Sequence, residues 1–292
     1  MDSVELLLND ILTQTLGGEV YIDEWRWQSG GDINKAASVS TSKGKYFIKW
    51  NEPGYTDMFE KEARGLQLLA ASCPLKTPEV IGYGAVAKAA YLVLVHLEIG
   101  IENDAYWQQL GEGLAALHLN KSKQYGLDHD NYIGRLEQRN KQCSNWLEFF
   151  IKNRLKAQLE LAQQSGYVSQ TFAEQFMSFL DRLPDIMPDS EASLLHGDLW
   201  SGNVMSVSPA QASIYDPAVY WGAREMDLAM TRLFGGFDSR FYQAYHEAYP
   251  IPSHFEELVE VYNLYPLMVH VNLFGPNSGY SRSVSQIISR YL

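Results

Sequence analysis

An α+β fold in two lobes is predicted, with a small antiparallel-sheet lobe over residues 1–98 and a larger, mostly helical lobe over residues 99–292. Three observations carry this. Before residue 98, short stretches rich in β-branched and aromatic residues are separated by Gly-containing turns. From about residue 103, apolar residues recur at helical spacing instead. Near residues 194–221, short strand-like pieces and loops interrupt the helical half. A length of 292 residues suits two domains, or two lobes of one.

Each element has its own signal. Val4, Leu7, Leu8, Ile11 and Leu12 form a helical stripe that Gly17-Gly18 ends. Residues 19–27, about 36–42 and 45–50 read as strands. Asp57 to Ser72 reads as a helix stopped by Pro74. Two apolar strands follow, at 79–83 and 91–97. In the second half, Trp107, Leu110, Leu114 and Leu117 make one helical stripe, Trp146 to Ala162 another and Thr171 to Leu183 a third. No repeat or flexible linker parts the halves, so functional groups are expected in the crevice between lobes and on the interrupting loops.

Composition excludes several function classes. With 23 Lys and Arg against 35 Asp and Glu, the net charge is −12, and both lobes are acidic. Nucleic-acid binding, which needs a surplus of basic residues, is therefore disfavoured. Cys73 and Cys143 stand far apart, without a CxxC or Cys/His cluster, and read as two free thiols. The start MDSVELLLNDILTQ lacks a basic leader segment, and no apolar run reaches ~18 residues, so a cytoplasmic protein that does not enter the membrane is expected.

The densest chemical signal is His196-Gly197-Asp198-Leu199-Trp200-Ser201-Gly202-Asn203, followed by Asp216-Pro217. Oxygen-bearing side chains on irregular backbone suit a magnesium-nucleotide site, because Mg²⁺ takes one or two protein carboxylates and leaves its other positions to phosphates and water. One carboxylate must stay off the metal to orient a hydroxyl, and Asp198 fits that role. In the first lobe, Lys49 lies on the strand 46–50 and Glu62 on the following helix, with Glu60 as the rival partner. Ser29 to Asn34, with Gly30 and Gly31, joins two strands where backbone N–H groups could approach phosphate.

The order of these residues resembles the protein-kinase-like fold, in which a loop Asp, an Asn five residues on and a later metal-binding Asp follow one another. Gly197 stands in place of the loop Arg, and Asp216-Pro217 in place of Asp-Phe-Gly, which points to the small-molecule branch. The resemblance narrows further. LLHGDLWSGN (194–203), YDPAVYWGAREMDLAM (215–230), YGLDHDNYIGRLEQRN (125–140), Trp146 with Arg154-Leu155, and LYPLMVHVNLFG (264–275) are similar to the fructosamine kinases, or ketosamine 3-kinases.

This resemblance implies ATP and Mg²⁺ as cofactors and transfer of phosphate to the 3-hydroxyl of a small-molecule or protein-bound ketosamine, an activity serving deglycation. An aminoglycoside or other small hydroxyl compound is the alternative acceptor, and a non-catalytic nucleotide-binding protein a further one. It implies Asp198 as catalytic base, Asn203 and Asp216 as metal ligands, and Lys49 paired with Glu62 on the phosphates. Gly30 and Gly31 would cover the phosphates, and His96 and Leu97 would supply hinge backbone for adenine.

Other positions keep two readings each. Trp200 suits either a sugar-facing wall or a brace for the catalytic loop. Tyr220 and Trp221 suit either the acceptor pocket or the core. Arg224 suits a partner of Asp227 or of substrate, and Asp227 a helix cap or a loop brace. His270 and Asn272 are candidates to face the pocket, and His118 reads as a core histidine.

Overall fold

The computed structural model describes residues 3–28 and 34–292; Gly30 and Gly31 lie outside the described residues. The chain divides into two units, one of residues 1–106 with 204–216, the other of residues 107–203 with 217–292. A single cut after residue 98 does not reproduce these units, because a hairpin from the second half belongs with the first.

The first unit opens with α1 (Ser3–Leu16), then β1 (Ile22–Gln28), β2 (Lys35–Thr41) and β3 (Gly44–Asn51). It continues with α2 (Thr56–Ser72), β4 (Val80–Val86) and β5 (Ala89–Val95). The five strands form one antiparallel sheet in the order β1-β2-β3-β5-β4. Alternation along β3 sets its two faces. Tyr46, Ile48 and Trp50 join the core that Leu8, Ile11 and Leu12 of α1 complete. Each such burial contributes about 1.5–3 kcal/mol. Lys49 necessarily points to the opposite face, where α2 brings Glu62 to it.

In chain order, α3 (Asp104–His118) leads to β6 (Lys121–Ser122), the hairpin β7 (Asn131–Ile133) and β8 (Leu136–Gln138), and α4 (Trp146–Phe149). A π-helical turn, Phe150–Lys156, continues into α5 (Ala157–Gln164) and is followed by α6 (Gln170–Ile186). Next come β9 (Ala192–Leu195), the hairpin β10 (Val204–Val207) and β11 (Gln211–Ile214), and β12 (Tyr220–Ala223). The chain ends with α7 (Glu225–Leu233), α8 (Ser239–Ala248), α9 (Phe255–Tyr262), α10 (Leu264–Phe274) and α11 (Tyr280–Ile288). The three helical stripes expected at 107–117, 146–162 and 171–183 fall in α3, in α4 with α5, and in α6, and the π turn within 146–162 is a departure.

Backbone bonds explain why β10 and β11 belong to the sheet unit. Gly100 N–H donates to Ser206 O at 2.8 Å, Lys76 N–H to Ala212 O at 3.0 Å, and Ile214 N–H to Lys76 O at 2.9 Å. Gly100 is required here, since a Cβ would lie 2.6 Å from the Val207 carbonyl carbon. The hairpin thus carries Asp216 within the same unit as Lys49.

In the second unit β12, β9 and β6 form a three-stranded antiparallel sheet. The loop 196–203 leaves directly from the end of buried β9. Arg154, fully buried on the π turn, is enclosed by the rings of Tyr220, Phe149 and Tyr265 at 3.9, 4.6 and 5.2 Å. Its Nη2 donates to Asn140 Oδ1 at 2.8 Å. That sandwich places Tyr220 in the core rather than in an acceptor pocket.

Candidate active site

Within the first unit, Lys49 is the hub. Its Nζ donates to Glu62 Oε1 at 2.8 Å and to Asp216 Oδ1. Glu60 takes no part; it faces Arg64 one turn along α2, at 3.9 Å. Burial alone would lower the Lys49 ammonium, but the charges of Asp216 and Glu62 outweigh it and hold the group above its ordinary value. Lys49 is therefore a fixed cation. Two carboxylates on one ammonium leave a local excess of negative charge, which suits the arrival of a further cation. Asp216 adopts φ 55°, a left-handed conformation rarely taken by a residue other than glycine.

At the predicted hinge, His96 N–H donates to Lys45 O at 3.1 Å, closing the sheet. That amide is committed to the sheet. The His96 carbonyl and the Leu97 backbone remain as the hinge groups of interest.

Within the second unit the loop 196–203 is braced by a buried carboxylate. Asp227, on the first turn of α7 and almost wholly buried, accepts from His196 N–H at 2.7 Å and from Gly197 N–H at 2.9 Å. It is a loop brace, not a helix cap. His118 Nε2 lies 3.2 Å from Asp227 Oδ2 and its Nδ1 lies 2.8 Å from the Tyr245 hydroxyl. A carboxylate only accepts, so Nε2 carries the hydrogen and Nδ1 accepts from Tyr245. Burial lowers the affinity of His118 for a second proton, against the opposing pull of Asp227. Arg224 completes the chain, donating to the Tyr245 hydroxyl at 3.2 Å, to Tyr249 O at 3.2 Å and to Pro250 O at 2.5 Å. Its guanidinium also stacks 3.5 Å from the Tyr249 ring centroid. Arg224 is thus engaged by protein groups, contrary to a role on substrate. Nothing in its sequence neighbourhood marked Tyr245 as the connecting hydroxyl; only the packing of α8 shows it.

Asp198 and Asn203 are joined within the loop. Asn203 Nδ2 donates to Asp198 Oδ2 at 3.0 Å and to Asp198 O at 2.8 Å. Its amide oxygen is a hard donor by type. Asn203 here and Asp216 in the first unit each carry a side-chain oxygen of the hard type that Mg²⁺ takes, an ion that leaves most positions to phosphate and water. Gly197 has φ 84°, and a Cβ there would sit 2.0 Å from Ala218 O. The glycine that replaces the kinase arginine is a steric necessity.

Trp200 lies across Gly202, whose Cβ would fall 2.2 Å from the indole Cη2, and meets Phe234 edge-on at 6.0 Å. Phe234 in turn approaches the His270 ring at 5.1 Å. Trp221 sits on β12, with its backbone paired to Gly126. Asn272 is buried and donates to Gln158 O and Oε1 at 2.9 and 2.8 Å, which makes it a core residue.

No helix among the described residues is long and apolar enough to cross a membrane. The sequence profile of fructosamine kinases matches residues 6–292. A relative named "Probable ketoamine kinase slr1563", from Synechocystis, is 39% identical over 96% of this chain and 94% of its own. A chloroplastic protein-ribulosamine 3-kinase from Arabidopsis thaliana is 34% identical over 90% of this chain and 81% of its own. A crystal structure from Haemophilus somnus 129PT, named for a fructosamine-3-kinase, superimposes with a TM-score of 0.86 at 29% identity, covering 98% of this chain and 96% of that one. The kinase-like fold is shared, and the chain belongs to the fructosamine kinase family.

Proposed function

We propose that this chain is an ATP-dependent kinase that phosphorylates the 3-hydroxyl of ketosamines, on free amines or on protein lysines, and so serves deglycation. The observation that supports it most strongly is the Asp198–Asn203 loop, braced by Asp227, in a chain of this family. In this reading Asp198 orients the sugar hydroxyl and accepts its proton as the oxygen forms its bond to the γ-phosphorus. The bond from that phosphorus to the bridging oxygen breaks, and ADP leaves with the electron pair. Phosphoryl transfer asks for positioning and charge stabilisation rather than covalent help from the protein.

Lys49, held by Glu62, neutralises the phosphates, for which Gly30 and Gly31 are the sequence candidates as a cover. The His96 carbonyl and Leu97 backbone hold adenine. Asn203 and Asp216 would hold Mg²⁺, which neutralises charge on the transferring group when bound. Trp200 and His270 lie on the acceptor side. We place the enzyme in the cytoplasm, where the thiols of Cys73 and Cys143 stay free.

A substrate panel tests the reading. Ribuloselysine, fructoselysine and kanamycin are incubated with MgATP and scored by mass for an added phosphate. Transfer to a ketosamine that Asp198→Ala abolishes, without loss of folding, is expected. Transfer to kanamycin alone would sink the proposal.

A further inference from the structure

Beside the catalytic loop, five rings stand together on the second unit. Trp200, Phe234 and Phe274 are large apolar side chains that remain 38%, 41% and 48% exposed. His270 is central among them, with the ring centroids of Tyr280, Phe234 and Phe274 at 4.8, 5.1 and 5.5 Å. The loop carrying Phe234 is pressed onto the catalytic loop: Gly236, at φ 92°, would place a Cβ 2.7 Å from that of Ser201. The cluster therefore begins two residues from Asp198 and is fixed to its loop.

The imidazole gives the cluster a direction. His270 Nδ1 lies 2.7 Å from Pro266 O, one turn back along α10, and a carbonyl can only accept. The hydrogen is on Nδ1, and Nε2 is the acceptor nitrogen of a neutral ring. Burial favours that neutral form, against the pull of the Pro266 carbonyl.

Ring faces carry negative electrostatic potential and attract a cation within about 6 Å, a soft organic ammonium especially. The same faces disfavour an anion. A purely apolar guest would leave the imidazole nitrogen unpaired, at the cost of a lost hydrogen bond. A sugar ring, with several hydroxyls that both donate and accept, asks for more polar partners than one nitrogen. A secondary ammonium between two methylenes satisfies every surface at once: its N–H donates to Nε2, and its charge and carbons lie on the rings.

We infer that Trp200, Phe234, His270, Phe274 and Tyr280 form the recognition site for the protonated secondary amine of the ketosamine and the first carbons of the chain it modifies. The inference rests on the ketosamine reading. It makes the amine a specificity determinant in its own right, separate from the sugar hydroxyl that Asp198 addresses.

The test compares two acceptors of equal length, 1-deoxy-1-butylamino-ribulose and its 1-O-butyl ether, which replaces the ammonium by a neutral oxygen. With wild-type enzyme, KM for the amine is expected to be about tenfold below that for the ether. In Phe234→Leu/Tyr280→Leu the amine's KM rises to that of the ether, while KM for ATP holds. Phe274→Leu, at a more exposed ring, gives a smaller rise and guards against a double variant that fails to fold. Equal KM for both acceptors in the wild type, or a preference that survives both variants, overturns the inference alone. If the wild type phosphorylates neither acceptor, the ketosamine reading fails and the amine site falls with it.

Discussion

At Gly197 the backbone is left-handed and a Cβ would fall 2.0 Å from Ala218 O, so neither the conformation nor the space admits a side chain. Left-handed geometry alone costs an L-residue roughly 1–2 kcal/mol. Gly197→Ala is therefore expected to lower the melting temperature, and to lower kcat further because Asp198 is next in the chain; calorimetry with steady-state kinetics checks both. Asp198→Ala should leave folding intact and reduce kcat by about 10²–10⁴-fold, the usual worth of a positioned general base. Lys49→Met is expected to lower kcat/KM for ATP by roughly 10²-fold, as loss of one positioned charge does. It also leaves Glu62 and Asp216 facing each other without their shared cation, so the variant should gain thermal stability from added Mg²⁺.

Among elements, the link from α3 through α7 to α8 is the one that periodicity could not announce. His118 ends α3, Asp227 opens α7 and Tyr245 sits within α8; their hydrogen bonds run from helix to helix and end on the catalytic-loop amides. Tyr245→Phe removes a hydroxyl shared by Arg224 and His118. It should destabilise by about 1–3 kcal/mol, the cost of buried groups left unpaired, and lower kcat with KM for ATP unchanged.

The pH dependence follows from the sign of the His118 shift. Its folded pKa is depressed by burial, so below the ordinary value near 6.5 the unfolded chain binds a proton that the folded one does not. Stability from this group is present above pH ~6.5 and is lost as pH falls below it, by up to about 1.4 kcal/mol per pH unit. His118→Gln should melt lower than wild type at pH 7.5 yet show a shallower decline between pH 6.5 and 5.

The elements themselves were legible because each has a local cause. The α1 stripe, the β3 alternation and Pro74 after α2 are read from a few adjacent residues, and the structure follows them closely. The Lys49 partner was legible through the family resemblance, which favours Glu62 over Glu60, and Glu62 Oε1 lies 2.8 Å from Lys49 Nζ. What local pattern does not contain is a tertiary choice, such as Arg224 turning to Tyr245 and Tyr249, or the His96 amide closing the sheet.

At the scale of the molecule, the interleaving of chain and unit is the main departure from a linear reading. Residues 204–216 follow the catalytic loop in sequence yet belong with the sheet, tied there by Lys76, Ile99 and Gly100. Such pairing joins residues more than a hundred positions apart, and no window of sequence holds both partners. The net charge of −12 leaves room for a local phosphate site at Lys49. It also agrees with a cationic acceptor, for which the aromatic cluster supplies the specific contacts.

The claim on which the rest depends is transfer of phosphate to one hydroxyl of a ketosamine. The most direct measurement is ³¹P–¹H correlation NMR of the product formed from ribuloselysine and MgATP. A phosphorus coupled to the proton on sugar carbon 3 is expected, with ADP formed in equal amount and lysine released on standing. Phosphorus coupled to any other sugar proton, or ATP consumed without a phosphorylated ketosamine, would contradict it.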